Sequence, residues 1–153
     1  MNREKGKAFE RMIAKMIVAK FAKTGITNKD CYRTPNSGGH PYANVVDPGD
    51  LVVSPKLLEY FPFHVECKHW KDIQIEHLFV EWKRWQPTWE FSQWFKQVYK
   101  AETSGREPII VFRKNNGPIL CATQRAGLNP SIRFLYKRDE WRVVTFERFL
   151  KSL

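Results

Sequence analysis

Three residues in this chain have types and spacing suited to phosphate chemistry: Asp50, Glu66 and Lys68. Residues 63–68, FHVECK, read as a strand. Side chains alternate along a strand, so His64, Glu66 and Lys68 share one side while Val65, Cys67 and His69 share the other. The apolar neighbours Phe61, Phe63 and Val65 predict a strand embedded in a sheet. A carboxylate and an ammonium there need partners or a solvated cleft, because lone buried charges are expensive. Asp50 stands sixteen residues before Glu66, at the mouth of a second apolar stretch, residues 51–54. Two adjacent strands, joined by a turn or hairpin over residues 55–62, would bring Asp50 beside Glu66. Paired carboxylates repel one another unless a divalent cation lies between them, and Mg²⁺ prefers oxygen ligands of this kind. The Cys67 carbonyl could add an oxygen. Such an ion activates water and polarises a phosphodiester, and Lys68 would orient the water or offset charge gathering on phosphorus.

The elements that must hold these groups can be read from periodicity. Phe9, Met12, Ile13, Met16, Ile17 and Phe21 recur at three- and four-residue steps, which predicts an amphipathic helix from residue 3 to about residue 22. Thr24-Gly25 stops it. Glu10 lies on the edge of its apolar face, where a carboxylate could reach the same cation or a second one. A turn-rich stretch, residues 33–50, is expected to be a loop with one short strand near residues 43–46. Helical spacing of Ile75, Leu78, Phe79, Trp82 and Trp85 predicts a second helix, and a third follows Pro87 over residues 88–103. Residues 108–113 and 119–123 read as a hairpin turning at Asn116-Gly117. Residues 131–136 and 141–144 read as another strand pair, and Thr145 caps a closing helix over residues 146–151. Helix, strands, helices, strands and helix imply a single α/β domain, residues 1–153, with a mixed sheet flanked by helices.

Charge narrows the partner. Lys and Arg number 26 against 16 Asp and Glu, for a net charge of +10. A field of that sign attracts polyanions, nucleic acid first among them. Arg3, Lys5, Lys7, Arg11 and Arg33 are the candidate DNA contacts on the proposed active face. No apolar run reaches the roughly 20 residues needed to span a bilayer, and the basic start lacks a signal-type apolar block, so the expectation is a cytoplasmic protein with no membrane partner. Cys31, Cys67 and Cys121 form no CxxC pair, which argues against a disulfide framework or a thiolate zinc site.

With Asp50-LVV, HVE66-C-K68 and a glutamate on the first helix in place, the chain resembles the PD-(D/E)XK nuclease superfamily. Within it the chain looks most like archaeal- and phage-type Holliday junction resolvases. KGKAFER around Glu10, RTPNSGG at residues 33–39 and GREPIIVFR at residues 105–113 are similar to their first-helix, serine-loop and third-strand motifs. The resemblance covers most of residues 5–123. It implies a restriction-endonuclease-like sheet and a homodimer that nicks opposed strands of a four-way junction. The implied cofactor is Mg²⁺, with Mn²⁺ able to substitute, in a prokaryotic or phage-infected cell. Carried over by motif, Glu10, Asp50 and Glu66 bind metal, Lys68 is catalytic, and Ser37 sits on the catalytic loop and touches DNA. The first motif reads GD rather than PD, and the tryptophan-rich residues 77–94 are longer than the family pattern.

Other readings compete. Glu66 and Lys68 could be a plain strand salt bridge with Glu10 solvated. His64, Cys67 and His69 suggest zinc, but alternation puts His64 opposite the other two. The SGG stretch lacks the GK[ST] ending of a phosphate loop. Trp82, Trp85, Trp89 and Trp94 could stack on unpaired bases, although helical spacing points first to core or dimer contact. A restriction-like or recombination-associated nuclease on duplex or single-stranded DNA, and a non-catalytic basic binding module, are the alternative functions. Three acids facing phosphate would weaken a pure binder.

Overall fold

The structure, a computed structural model, describes residues 3–35, 49–71, 94–98, 105–129, 131–136 and 139–153. The expected strand near residues 43–46, the helix around Trp82 and Trp85, Trp89, and Ser37 lie outside the described residues.

Helix α1 spans Arg3–Phe21 and buries Phe9, Ile13, Ala14, Ile17 and Phe21; of the stripe that the periodicity predicts, Met16 is only partly buried and Met12 is exposed at its edge. Each phenylalanine or isoleucine removed from water contributes about 1.5–3 kcal/mol, so this stripe outweighs Gly6 in the first turn and the helix's exposed lysines. A 3₁₀ turn, Ala22–Thr24, follows, and Gly25 closes it at φ 78°, a left-handed conformation that glycine adopts without strain.

Strand β1, Cys31–Arg33, pairs antiparallel with β2, Leu51–Val53, in a two-stranded ribbon. The connection expected as a turn or hairpin over residues 55–62 is instead a helical turn, α2, Pro55–Leu58. Ser54 caps it by accepting from the Leu57 N–H, with proline at the first helical position, where a missing N–H costs nothing. Asp30 accepts from the Ser54 hydroxyl at 2.8 Å and from the Thr27 N–H at 2.8 Å, which ties the cap to the ribbon.

Strand β3, Phe63–Trp70, pairs parallel with β4, Glu107–Lys114. Parallel neighbours need a long crossover, and within it residues 94–98 are helical (α3). Strand β5, Leu120–Thr123, β6, Ile132–Tyr136, and β7, Asp139–Thr145, complete a five-stranded mixed sheet in the order β3-β4-β5-β7-β6. The β4–β5 hairpin turns where Asn116 takes φ 59° and the Gly117 N–H donates to the Lys114 carbonyl. Helix α4, Phe146–Lys151, is capped by Thr145 as expected. This is a mixed sheet with helices on both faces, compatible with the restriction-endonuclease-like class.

Alternation along the strands sorts the core. Val65, Cys67, Ile109 and Val111 pack with α1 and α4, while Ile110 and Phe112 pack with Trp94, Phe95 and Val98 of α3. Trp94 is therefore core, 6.0 Å from the rings of Trp70 and Phe112. One expectation is corrected. Among the described residues β3 is the edge of its sheet, not an embedded strand, and β2 reaches it only through an isolated bridge, Gly49 to Val65. Its apolar residues Phe63 and Val65 are buried on one face of the sheet with α1 and α4, without a strand on each side.

Candidate active site

The edge position of β3 leaves room for Asp50. The Asp50 N–H donates to the Val65 carbonyl at 3.0 Å, and the Asp50 carbonyl accepts from the Thr34 N–H at 2.9 Å. Thr34 also donates its hydroxyl to the Gly49 carbonyl at 2.9 Å. Main-chain bonds to β3 and to the end of β1 thus fix Asp50 from two sides. Gly49 precedes it at φ 73°, and a side-chain carbon there would meet the Val65 carbonyl oxygen at 2.7 Å. No other residue type fits this approach.

The Asp50 side chain turns onto the same strand. Its Oδ2 accepts from the Cys67 N–H at 2.7 Å, and Cys67 lies between Glu66 and Lys68 in the chain. Burial, and then the negative charge of Glu66, push the Asp50 carboxyl up from 3.8 to about 7. The nearby Lys68 charge and the Cys67 hydrogen bond oppose this without cancelling it. Glu66 behaves differently. Burial acts to raise its carboxyl, but His64 and Lys68 together outweigh burial and hold it below the ordinary value. The buried His64 places Nε2 3.5 Å from Glu66 Oε1, and Lys68 Nζ lies 3.3 Å from Glu66 Oε2. Two neighbouring acids therefore carry different proton affinities, a pattern that concentrates at reactive sites.

Lys68 is held at its tip. Its ammonium donates to Gln97 Oε1 of α3 at 2.8 Å, in addition to its pair with Glu66. Gln97 is absent from the sequence reading, because nothing local marks a partner 29 residues away. The edge of α1 contributes Glu10, half-buried, whose Oε2 lies 2.6 Å from Arg33 Nε in an ion pair that lacks hydrogen-bond geometry. Burial raises the Glu10 carboxyl and Arg33 opposes it, while weaker effects of Lys68 and Glu66 place all of these groups in one electrostatic neighbourhood.

Asp50, Glu66 and Lys68 are thus brought together, with Glu10 nearby but turned to Arg33. Among the described residues no three His, Cys, Asp or Glu groups converge closely enough to form a ready-made metal cage. The donor set at Asp50 and Glu66 still fits a hard divalent cation. It consists of carboxylate oxygens, and Asp50 carries charge repulsion that a cation would relieve. Mg²⁺ commonly uses one or two carboxylates and keeps several waters.

Of the basic residues singled out, Arg3, Lys5 and Arg11 are exposed, Lys7 pairs with Glu4 at 2.8 Å, and Arg33 is engaged by Glu10. All three cysteines are buried free thiols. Burial, reinforced by Asp50, raises the Cys67 thiol well above the ordinary range, so it is an unreactive packing group. Among the described residues no helix is long and apolar enough to cross a membrane.

Among known protein families, the one described as "Phage putative PDDEXK endonuclease" matches residues 1–149. No curated protein and no solved structure matches the chain.

Proposed function

The chain belongs to this phage PDDEXK endonuclease family, and from that premise we propose a Mg²⁺-dependent endodeoxyribonuclease that resolves four-way junctions as a homodimer. The observation that carries the reading is the 2.7 Å bond from the Cys67 N–H to Asp50 Oδ2. It docks one acid against the edge strand that bears the second acid and the lysine.

In this reading Asp50 and Glu66 hold Mg²⁺ or Mn²⁺, with the Cys67 carbonyl a further oxygen. Glu10 joins them only by releasing Arg33. A divalent cation held there would supply the Lewis acidity that phosphodiester hydrolysis needs. Asp50 is fixed by the main chain and supplies its oxygen without reorganising. Glu66 is kept ionised by His64 and Lys68 and so remains a ligand at neutral pH. Lys68, steered by Gln97, presents its ammonium to the water or to the charge building on phosphorus, a preorganised donor of the kind that lowers such barriers most. Ser37 would donate to a phosphate.

Substrate choice rests on charge and on what is missing. A net charge of +10 supplies attraction without sequence preference. No helix-turn-helix or zinc finger pattern is present in the sequence to read bases, so recognition is by backbone shape and deformability. A two-fold dimer would match two symmetry-related strands.

The test incubates the protein plus Mg²⁺ with matched four-way-junction, duplex and single-stranded DNA, beside Glu66→Gln. Paired nicks confined to the junction, lost in the variant while junction binding persists, are expected. Cutting of duplex alone would transfer the chemistry to a restriction-like substrate. Undiminished Mg²⁺-dependent cutting by Glu66→Gln would remove the site.

A further inference from the structure

On the other face of β3 from Glu66 and Lys68 lies a cavity of about 340 Å³, lined by Lys5, Phe9, Met12, His69, Arg113 and Asn115 among others. His69 and Arg113 are register partners across the parallel pair β3–β4, and Lys5, Phe9 and Met12 face them from α1. Both ring nitrogens of His69 and Nε of Arg113 are shielded from water and have no hydrogen-bond partner among the described residues. Orphaned buried polar atoms are rare in folded proteins, and an ion or a water between them is one recognised cause. The lining carries two formal positive charges, on Lys5 and Arg113, and no acid.

The cavity is also built to hold its guanidinium still. Arg113 lies over the Phe9 ring at 5.7 Å, with Nη1 3.9 Å from Met12 Sδ, and His69 packs against the same ring at 5.4 Å. A planar fork fixed in this way suits the oxygens of a phosphate better than a mobile ammonium does. Phe9 is buried under these two groups, but Met12 in the lining is exposed and offers an apolar surface for the attached sugar, so a nucleotide phosphate fits better than a free inorganic ion.

The geometry points to a phosphate-binding subsite for a DNA strand, formed by Lys5, His69, Arg113 and Asn115. It rests on the nuclease reading above, and it assigns a role to residues that the chemistry does not use. Lys68 and His69 are consecutive on the edge strand, so a DNA backbone passing that edge meets the catalytic lysine and the subsite within one residue of each other. The site therefore sets where the strand lies relative to the scissile bond.

Binding of a four-way junction to the whole protein, in EDTA so that nothing is cut, tests this by fluorescence anisotropy across a salt series. Lys5→Ala, Arg113→Gln and Arg113→Lys are compared with wild type, and thermal melts report folding. Loss of one phosphate contact lowers the log–log salt slope by about 0.9 and, near 0.1 M salt, weakens binding roughly tenfold. That result is expected for Lys5→Ala and Arg113→Gln, with Arg113→Lys keeping the slope. Lys5 is exposed, so its variant stays informative even if Arg113→Gln loses its fold. Junctions with 5′-phosphate or 5′-hydroxyl ends separate the sources: equal affinity assigns the site to an internal phosphodiester, and a loss confined to dephosphorylated ends assigns it to a strand terminus. Wild-type binding with unchanged slope and affinity in Lys5→Ala and in folded Arg113 variants would overturn the subsite and leave the nuclease reading standing. Failure of the wild type to bind any DNA would overturn both.

Discussion

Replacing Asp50 with asparagine should make the metal-free protein more stable while abolishing cleavage. Asparagine keeps an oxygen to accept from the Cys67 N–H, which lies 2.7 Å from Oδ2 in the wild type, and removes the charge that Glu66 repels. The Asp50 carboxyl rises from 3.8 to about 7, so between those values the fold binds more protons than the unfolded chain. Wild-type stability therefore falls as pH climbs through that window, and the full penalty applies above pH 7. Three units at about 1.4 kcal/mol each set a ceiling of roughly 4 kcal/mol. The side chain keeps some contact with solvent, and asparagine forms a weaker, uncharged hydrogen bond, so the net gain at pH 8 is about 1–3 kcal/mol. In a chain of this size that moves Tm upward by roughly 2–10 °C. Thermal and urea denaturation in EDTA, at pH 8 and at pH 4.5, measure it. The gain should shrink strongly at pH 4.5, where the folded wild type already holds the proton. Added Mg²⁺ should raise the wild-type Tm at pH 8 by mass action and leave Asp50→Asn unmoved. An Asp50→Asn protein less stable than wild type at pH 8, or equally stabilised at both pH values, would refute the electrostatic account.

Lys68→Met should cut kcat by about 10²-fold or more, as loss of a preorganised cationic donor does. Gln97→Ala should cost less, and the double variant should be no slower than Lys68→Met, since both residues act through one ammonium; additive losses in single-turnover assays would separate them. Gly49→Ala should destabilise the fold by at least about 2 kcal/mol, because it combines left-handed strain with a clash against the Val65 carbonyl. A melt within a degree of wild type would contradict that packing. Junction affinity should fall roughly 10³-fold between about 50 and 200 mM salt if six or more phosphates are contacted, and a flat titration would count against nucleic acid as the partner.

Much of the frame is legible where periodicity is long. The stripe of Phe9, Ile13 and Ile17 gives α1, and the Asn116-Gly117 and Thr145 signals give the β4–β5 hairpin and the start of α4. Strand β1 is not legible, because the three residues Cys31, Tyr32 and Arg33 offer no pattern to count. Helix α2 hides for a related reason: Ser54 and Pro55 are sound start signals, but four residues are too short for a helical stripe. The location of β3 at an edge is invisible in its own sequence, since the helices packed on one face make Phe63 and Val65 as apolar as a central strand would. At the site, the residue types of Asp50, Glu66 and Lys68 reveal the cluster. The engagement of Glu10 by Arg33 and of Lys68 by Gln97 depends on long-range folding, which no local spacing encodes.

The way Asp50 is seated has a consequence for how such a chain tolerates change. Its backbone is hung between Thr34 and Val65, and its carboxylate leans on the Cys67 amide, so every one of these supports is a peptide group. Side chains at 65 and 67 answer to the core they pack in, and the one at 34 to the Gly49 carbonyl it bonds, but none touches the acid itself, and proline is barred at 34 and 67, where an amide hydrogen is required. Short recognisable motifs are what this mode of support permits: the scaffold transmits position through its main chain, and the written letters around the acid are held by packing and by the turn at Gly49 rather than by the acid.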